Sequence, residues 1–199
     1  MRRQALLVLV MLVAGQMAWA QAPKTPESVQ KANEVLMALA DIDLLLVLTP
    51  LKLEKEQITK IKPLLEQAQS DLMRMEERNA QALLSLRDEV MSARKEALKG
   101  KTPPEELRKK LQEADNTAMQ LRIKTVDQVV RTLWAKLEAI LSDSQKQTIY
   151  SQAREQMRNL RRPNADKASR KELGEFFTQE VLLSPRTLPL LEELQKSAE

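Results

Sequence analysis

The segment from Lys99 to Glu105 joins a helix stop signal to a helix start signal. Gly100 is the residue type preferred at the C′ position, where a left-handed backbone ends a helix without a Cβ penalty. Thr102 fits the N-cap of a following helix, Pro103 fits its first position, and Glu105 completes a capping box with Thr102. Long stretches without another glycine lie on both sides. The sequence therefore predicts two long helices that fold back on each other once, at Gly100.

Composition favours the same fold class. The chain has 199 residues, of which 43% are hydrophobic, 30% charged and only 3% aromatic. Its abundant Leu, Ala, Glu, Gln, Lys and Arg are good helix formers, and three glycines leave few turns for a β-fold. A compact globule of this length usually has more aromatic side chains in its core. We therefore expect an all-α protein, an elongated antiparallel helical hairpin with flanking helices, in which either thin helix packing or an oligomer that buries a shared face replaces a compact core.

Hydrophobic periodicity predicts four main helices. They run from Pro26 to about Val47, from Glu54 to Lys99, from Pro103 to about Ala139, and from Ser142 to about Arg162. The second would be roughly 65–70 Å long at 1.5 Å per residue. An antiparallel pairing of the second and third helices buries the apolar stripes of both. Beyond Pro163 the composition changes, and we predict a peripheral C-terminal helical tail over residues 163–199, separate from a helical domain over residues 21–162.

Residues 1–20 have the pattern of a secretory signal peptide. Two arginines follow Met1, an apolar run extends from Ala5 to Ala14, and Ala18-Trp19-Ala20 is a cleavage signal that places the cut before Gln21. The run is shorter than the ~20 apolar residues of a transmembrane helix. The sequence thus predicts export to a bacterial periplasm with a cleaved leader. The alternative is an uncleaved membrane anchor.

The absence of cysteine and histidine excludes several classes of site. Disulfides, thiolate or imidazole metal sites, and Cys or His nucleophiles cannot form. No Gly-rich phosphate loop is present, and the carboxylate pair Glu76-Glu77 points apart on a helix. The net charge is +4, and it falls to +2 when Arg2 and Arg3 leave with the leader. Because nucleic-acid binding needs a strong basic excess, the sequence predicts no nucleic-acid partner. The missing residue types and motifs predict that the protein is not an enzyme and has no metal or cofactor.

Two short segments share one frame, in which an apolar residue and a helix-cap position precede a glutamine. They are Leu53-Glu54-Lys55-Glu56-Gln57 and Leu141-Ser142-Asp143-Ser144-Gln145. In the second segment, Ser142 and Gln145 can form a reciprocal capping box, whereas Glu54 is a poorer cap. Any capping box has this pattern, so one copy indicates only a helix start. The two copies, however, stand near the ends of the predicted hairpin.

This arrangement resembles the LTxxQ family of Spy/CpxP-like periplasmic proteins, in which two Leu-Thr-x-x-Gln motifs bracket a long helical hairpin after a signal peptide. The resemblance covers roughly residues 45–160, with Glu54 and Ser142 in place of the two threonines. It implies a thin, curved, antiparallel homodimer shaped like a cradle. It also implies an ATP-independent chaperone that binds unfolded or partly folded proteins on the concave face and suppresses aggregation.

Two other functions remain open. CpxP-like members damp a membrane stress sensor, so the resemblance also implies a periplasmic regulatory adaptor that binds an envelope-stress sensor domain. The third is a structural envelope coiled coil that docks through Phe176-Phe177.

Methionine and arginine mark the candidate client-binding residues. Six of the nine methionines lie outside the leader, and their flexible side chains suit adaptable apolar surfaces. The candidates are Met73, Arg74, Met75, Arg78, Met91 and Met119. In the alternative interpretation, Met75 is a core residue of the helix pair and the arginines form a solvated helix face.

Overall fold

The computed structural model describes residues 26–197, which contain seven α-helices and no strand. The helices are α1 Glu27–Leu48, α2 Lys55–Leu84, α3 Arg87–Ala97, α4 Glu105–Glu138, α5 Asp143–Asn159, α6 Arg170–Phe177 and α7 Thr187–Ser197. A 3₁₀ turn, Thr49–Leu51, follows α1, and a π-helical turn, Thr178–Leu182, follows α6. The predicted all-α class is confirmed. The predicted signal peptide, residues 1–20, lies outside the described residues.

The chain divides into two units, Met1–Ala38 and Leu39–Glu199. In the first unit, the structure describes residues 26–38, which form the first part of α1 and expose Val35 and Leu36. The second unit contains the end of α1, the other six helices and the hydrophobic core.

The core of the second unit forms where α2 packs against α4. The apolar residues that α2 buries are Ile58, Ile61, Leu65, Ala68 and Met75, and those that α4 buries at its C-terminal end are Val129, Val130, Leu133, Trp134 and Leu137. Two ion pairs fix an antiparallel register farther along. Glu76 of α2 pairs with Arg122 of α4 at 2.8 Å, and Glu89 of α3 pairs with Lys110 of α4 at 3.0 Å.

The second predicted helix is divided, and its prediction as one element from Glu54 to Lys99 is wrong. α2 ends at Leu84 and α3 begins at Arg87. The Ser85 hydroxyl donates to the Ala82 carbonyl at 2.7 Å, and the Leu86 N–H bonds the Leu83 carbonyl instead, at 3.1 Å. A serine hydroxyl that takes a backbone carbonyl competes with the helical ladder, which accounts for the break.

The hairpin turn lies where the sequence predicts it. Gly100 has a φ of +83°, its N–H bonds the Ala97 carbonyl at 2.9 Å, and the Lys101 N–H bonds the Glu96 carbonyl at 3.2 Å. These are the two hydrogen bonds of a Schellman motif with Gly100 at C′. Of the described helices, α3 alone ends in a Schellman motif that has glycine at C′.

The predicted start of α4 at Thr102 and Pro103 is wrong, although both residues lie in the turn. Pro104 is the N-cap, with extended backbone, and no side chain caps the helix. A residue that precedes proline is pushed out of the helical region. Pro103 precedes Pro104, so it cannot be the first helical residue, and α4 begins at Glu105 instead.

The C-terminal segment is part of the core, so the prediction that it is peripheral is wrong. Its fully buried side chains include Leu173, Phe177, Val181, Leu190 and Leu191. α6 packs on α5 and α4, and α7 packs on α2. Since Phe177 is buried and Phe176 packs against the core, the Phe176-Phe177 pair is not a free docking segment. The boundary at residue 162 between a domain and a tail stays a prediction.

Ion pairs tie this segment to α1 and α2. Arg186 donates two hydrogen bonds to the Asp41 carboxylate of α1, at 2.8 and 2.5 Å, and Lys62 of α2 pairs with Glu192 of α7 at 2.8 Å. The hydrogen bonds from Arg186 lower the pKa of Asp41 below its ordinary value. Both pairs are half-buried and still reached by solvent, so they fix geometry more than they add stability.

Candidate functional site

The two motif glutamines lie side by side at the end of the hairpin opposite Gly100. Gln57 Nε2 donates to Gln145 Oε1 at 2.9 Å, and Gln145 Nε2 donates to Gln57 Oε1 at 2.8 Å. This reciprocal amide pair joins the start of α2 to the start of α5. We call it the glutamine pair.

Each glutamine also bonds its own helix start and the segment before the other helix. The Oε1 atoms accept from the N-cap N–H groups of Glu54, at 3.1 Å, and Ser142, at 2.8 Å. The Nε2 atom of Gln57 donates to the Ile140 carbonyl at 3.0 Å, and that of Gln145 donates to the Lys52 carbonyl at 3.3 Å. Every donor and acceptor position of both carboxamides is therefore used.

The sequence predicted the two cap positions but not the contact between them. The capping box at Ser142 is confirmed, since its hydroxyl accepts from the Gln145 N–H at 3.3 Å. Leu141 is buried and Leu53 packs against the core beside the pair. The repeated frame at the two chain ends of the hairpin was recognised, but not its consequence, that an antiparallel fold brings the two glutamines together. Amides do not titrate, so the pair fixes geometry and supplies no acid–base chemistry.

A groove of about 300 Å³ runs between α2 and α4 next to this end. Its lining includes the buried side chains Ala68, Met75, Val129 and Leu133, together with Leu64 and Leu121. Arg74, Arg78 and Lys136 also line it and are exposed. Arg74 pairs with Asp71 at 2.5 Å, whereas Arg78 and Lys136 have no ion pair among residues 26–197. The groove therefore combines an apolar lining with two free positive charges.

The hairpin exposes apolar side chains beyond this groove. After Met75, no residue of α2 or α3 is buried, and α4 buries only Leu107 before Val129. The large apolar residues exposed here are Met73, Leu83, Leu84, Met91, Leu98, Met119 and Ile123. We call this set, with the groove, the hairpin surface.

One apolar stripe of α4 connects the core to the hairpin surface. Its members follow the 3-4 spacing that keeps side chains on one helix face, and they are Met119, Ile123, Val126, Val130, Trp134 and Leu137. The last three are buried beside the C-terminal segment, whereas Met119 is 61% exposed and Ile123 is 57% exposed. The described residues thus cover one half of the stripe and leave the other half open.

The structure separates the predicted client-binding residues. Arg74 and Arg78 line the groove, and Met73, Met91 and Met119 are exposed on the hairpin. Met75 is only 5% exposed and is a core residue, as the alternative interpretation has it, although it also lines the groove, and its contact with clients stays a prediction. Lys136, Leu121 and Gln128 were missed. An antiparallel register about Gly100 could have placed Lys136 opposite Leu64, Leu121 opposite Asn79 and Gln128 opposite Leu72.

Within residues 26–197 no cluster of acidic side chains could hold a metal ion, and no helix is long and apolar enough to span a bilayer. No protein-family model, curated protein or solved structure matches the chain.

Proposed function

We propose that the protein is an ATP-independent periplasmic chaperone that holds unfolded or partly folded proteins on the hairpin surface and suppresses their aggregation. The observation that carries this proposal is the half-covered stripe of α4. Contiguous exposed apolar residues on a folded protein mark sites of interaction. Methionines within such a surface adapt to different partners because their side chains are flexible and polarizable.

The charges of the groove fit the same role. Arg78 and Lys136 lie beside the apolar lining, have long flexible side chains and form no ion pair within the described part of the chain. Such side chains cover apolar surface with their stems while their charged ends stay in water. A client can therefore displace the aliphatic parts of these two side chains and bind the apolar lining. When no client is bound, the two charged groups keep the surface of the groove hydrated.

The finer architecture is proposed with the function. Two hairpins that pair as an antiparallel homodimer would bring two hairpin surfaces together in a cradle, as in Spy/CpxP-like proteins. Met91 in α3 and Leu98 directly after it are exposed and support such a pairing, which leaves Met119 and Ile123 of α4 for clients. We do not propose docking through Phe176-Phe177, and no described feature favours the stress-sensor adaptor over the chaperone.

The test is the aggregation of a chemically denatured client that is diluted into buffer without nucleotide. We expect light scattering to be suppressed at near-stoichiometric protein. The triple variant Met73→Gln, Met119→Gln, Ile123→Gln should need about ten-fold more protein, because the loss of roughly 0.5 kcal/mol of apolar contact at each position adds to about 1.5 kcal/mol, and about 1.4 kcal/mol corresponds to a factor of ten. The three side chains are exposed, so the fold should persist.

The matched control keeps the surface apolar. The variant Met73→Leu, Met119→Leu, Ile123→Val should suppress scattering as well as the original chain. If the original chain leaves scattering unchanged, the chaperone function is refuted. Saturable binding to one sensor domain, without effect on generic clients, would instead support the adaptor.

A further inference from the structure

A second surface, which the client-holding role does not use, lies where α5 ends. Four basic residues, Arg158, Arg161, Arg162 and Lys167, line an open depression of about 360 Å³. We call it the basic depression. Its other lining residues are Pro163, Asn164, Ala165 and Asp166.

Charge is strongly segregated around this depression. Residues 154–171 contain seven Lys and Arg against two Asp and Glu, a net charge of +5. The rest of residues 26–197 contains 22 Lys and Arg against 25 Asp and Glu, a net charge of −3. The positive excess of the described chain is therefore confined to one short stretch, which the net charge of the whole chain hides.

Most of these cations have no acidic partner. Arg158 donates to Asp166 at 2.7 Å through Nε and at 2.6 Å through Nη2. Arg161, Arg162 and Lys167 are exposed and form no ion pair among the described residues. Three positive side chains thus stand together, and only the one carboxylate of Asp166 lies among them.

The backbone of Arg161 gives independent support. Its φ is +54°, and the bonds from Arg161 N–H to the Arg158 carbonyl and from Arg162 N–H to the Met157 carbonyl are both 2.9 Å. This is a Schellman motif with arginine at C′, the position that Gly100 occupies after α3. A side chain in the left-handed region is strained, and such strain is concentrated at functional positions. The fold therefore places a guanidinium where glycine would be more favourable.

We propose that the basic depression binds the phosphate groups of an anionic phospholipid membrane. Guanidinium groups match phosphate oxygens in a bidentate geometry. The depression is open and its free cations are hydrated, so one soluble phosphate gains little, whereas a lipid surface presents many phosphates at once. Leu160 is exposed directly before Arg161 and can enter the headgroup layer as the cations bind. This surface holds the protein at a membrane and leaves the hairpin surface free.

Vesicle co-sedimentation of the full chain tests the proposal. We expect binding to vesicles that contain phosphatidylglycerol, no binding to phosphatidylcholine vesicles, and weaker binding as salt is raised. Each basic residue near an anionic surface contributes about five-fold to partitioning, so the variant Arg161→Gly, Arg162→Gln, Lys167→Gln should bind on the order of a hundred-fold more weakly. Arg161→Gly relieves the strained backbone, so this variant should unfold no earlier than the original chain.

The matched control removes the same charge elsewhere. Lys60, Arg108 and Lys124 are exposed and unpaired in the described chain, and their replacement by Gln should weaken vesicle binding only a few-fold. Equal loss in the two variants would show a general charge effect and overturn the proposal. Binding to phosphatidylcholine vesicles would also overturn the proposal. Competition by dilute inorganic phosphate would overturn it by indicating a site for a free anion, and competition by polyglutamate would overturn it by indicating an acidic protein partner.

Discussion

Replacing Gly174 with alanine is expected to destabilise the protein by about 3 kcal/mol, at the upper end of the cost of overpacking a core. A Cβ atom on Gly174 would lie 2.0 Å from Cε2 and 2.3 Å from Cζ2 of the Trp134 side chain. The indole cannot move aside easily, because Trp134 is buried and its ring meets that of Tyr150 edge-on, with centroids 6.0 Å apart. The approach of α6 to α4 thus depends on this glycine.

Denaturant unfolding measures the effect, and Gly100→Ala is the control. No atom of residues 26–197 lies within 4 Å of a Cβ on Gly100, whose φ is +83°. Only backbone strain opposes alanine there, at about 1 kcal/mol. In Gly174→Ala, the second substitution Trp134→Leu should restore part of the lost stability, since it frees the space of the indole. Equal losses at the two glycines, or no rescue, would contradict the packing of α6 on α4.

Replacing Gln145 with alanine is expected to lower the free energy of unfolding by about 2–3 kcal/mol. Every polar group of the glutamine pair is hydrogen-bonded, so the substitution leaves several of them without a partner. The substitution removes the hydrogen bonds to Gln57, Ser142 and Lys52. Gln145 is only 9% exposed, so its former partners would be left poorly solvated. An unsatisfied buried polar group costs about 1–3 kcal/mol.

A double-mutant cycle isolates the pair from the caps. We expect Gln57→Ala and Gln145→Ala to be non-additive, with a coupling energy of about 1 kcal/mol or more, since either change alone strands the other carboxamide. Gln195→Ala is the control, because Gln195 makes one exposed hydrogen bond to Thr59, at 3.0 Å. It should cost a few tenths of a kcal/mol at most. Additive losses at Gln57 and Gln145 would mean that each acts only as a cap.

Local signals in the sequence predicted local features of the fold. The left-handed turn at Gly100 and the capping box at Ser142 depend on residues within one or two turns, and both are found. The break at Ser85 was missed because a serine hydroxyl can face solvent or bond a carbonyl with the same sequence pattern. The misplaced start of α4 had a local cause that was visible, the second proline of Pro103-Pro104.

Features that join distant segments were not predictable in the same way. Residues 163–197 have weak helical periodicity, and their role depends on Gly174 and Trp134, which are 40 positions apart and meet only in the fold. Once these residues cover Val130 and Trp134, the exposed Met119 and Ile123 become the open part of the stripe. The candidate methionines were therefore identified by type, whereas their exposure, and the burial of Met75, required the packing.

The central claim is that the hairpin surface holds clients while the core beside the glutamine pair stays closed. Hydrogen exchange of the backbone amides, with and without a denatured client, tests it most directly. We predict that the client slows exchange in residues 64–98 and 107–136 and leaves α5, α6 and α7 unchanged. If the client instead slows exchange in α5 to α7, or slows it nowhere, the account is contradicted.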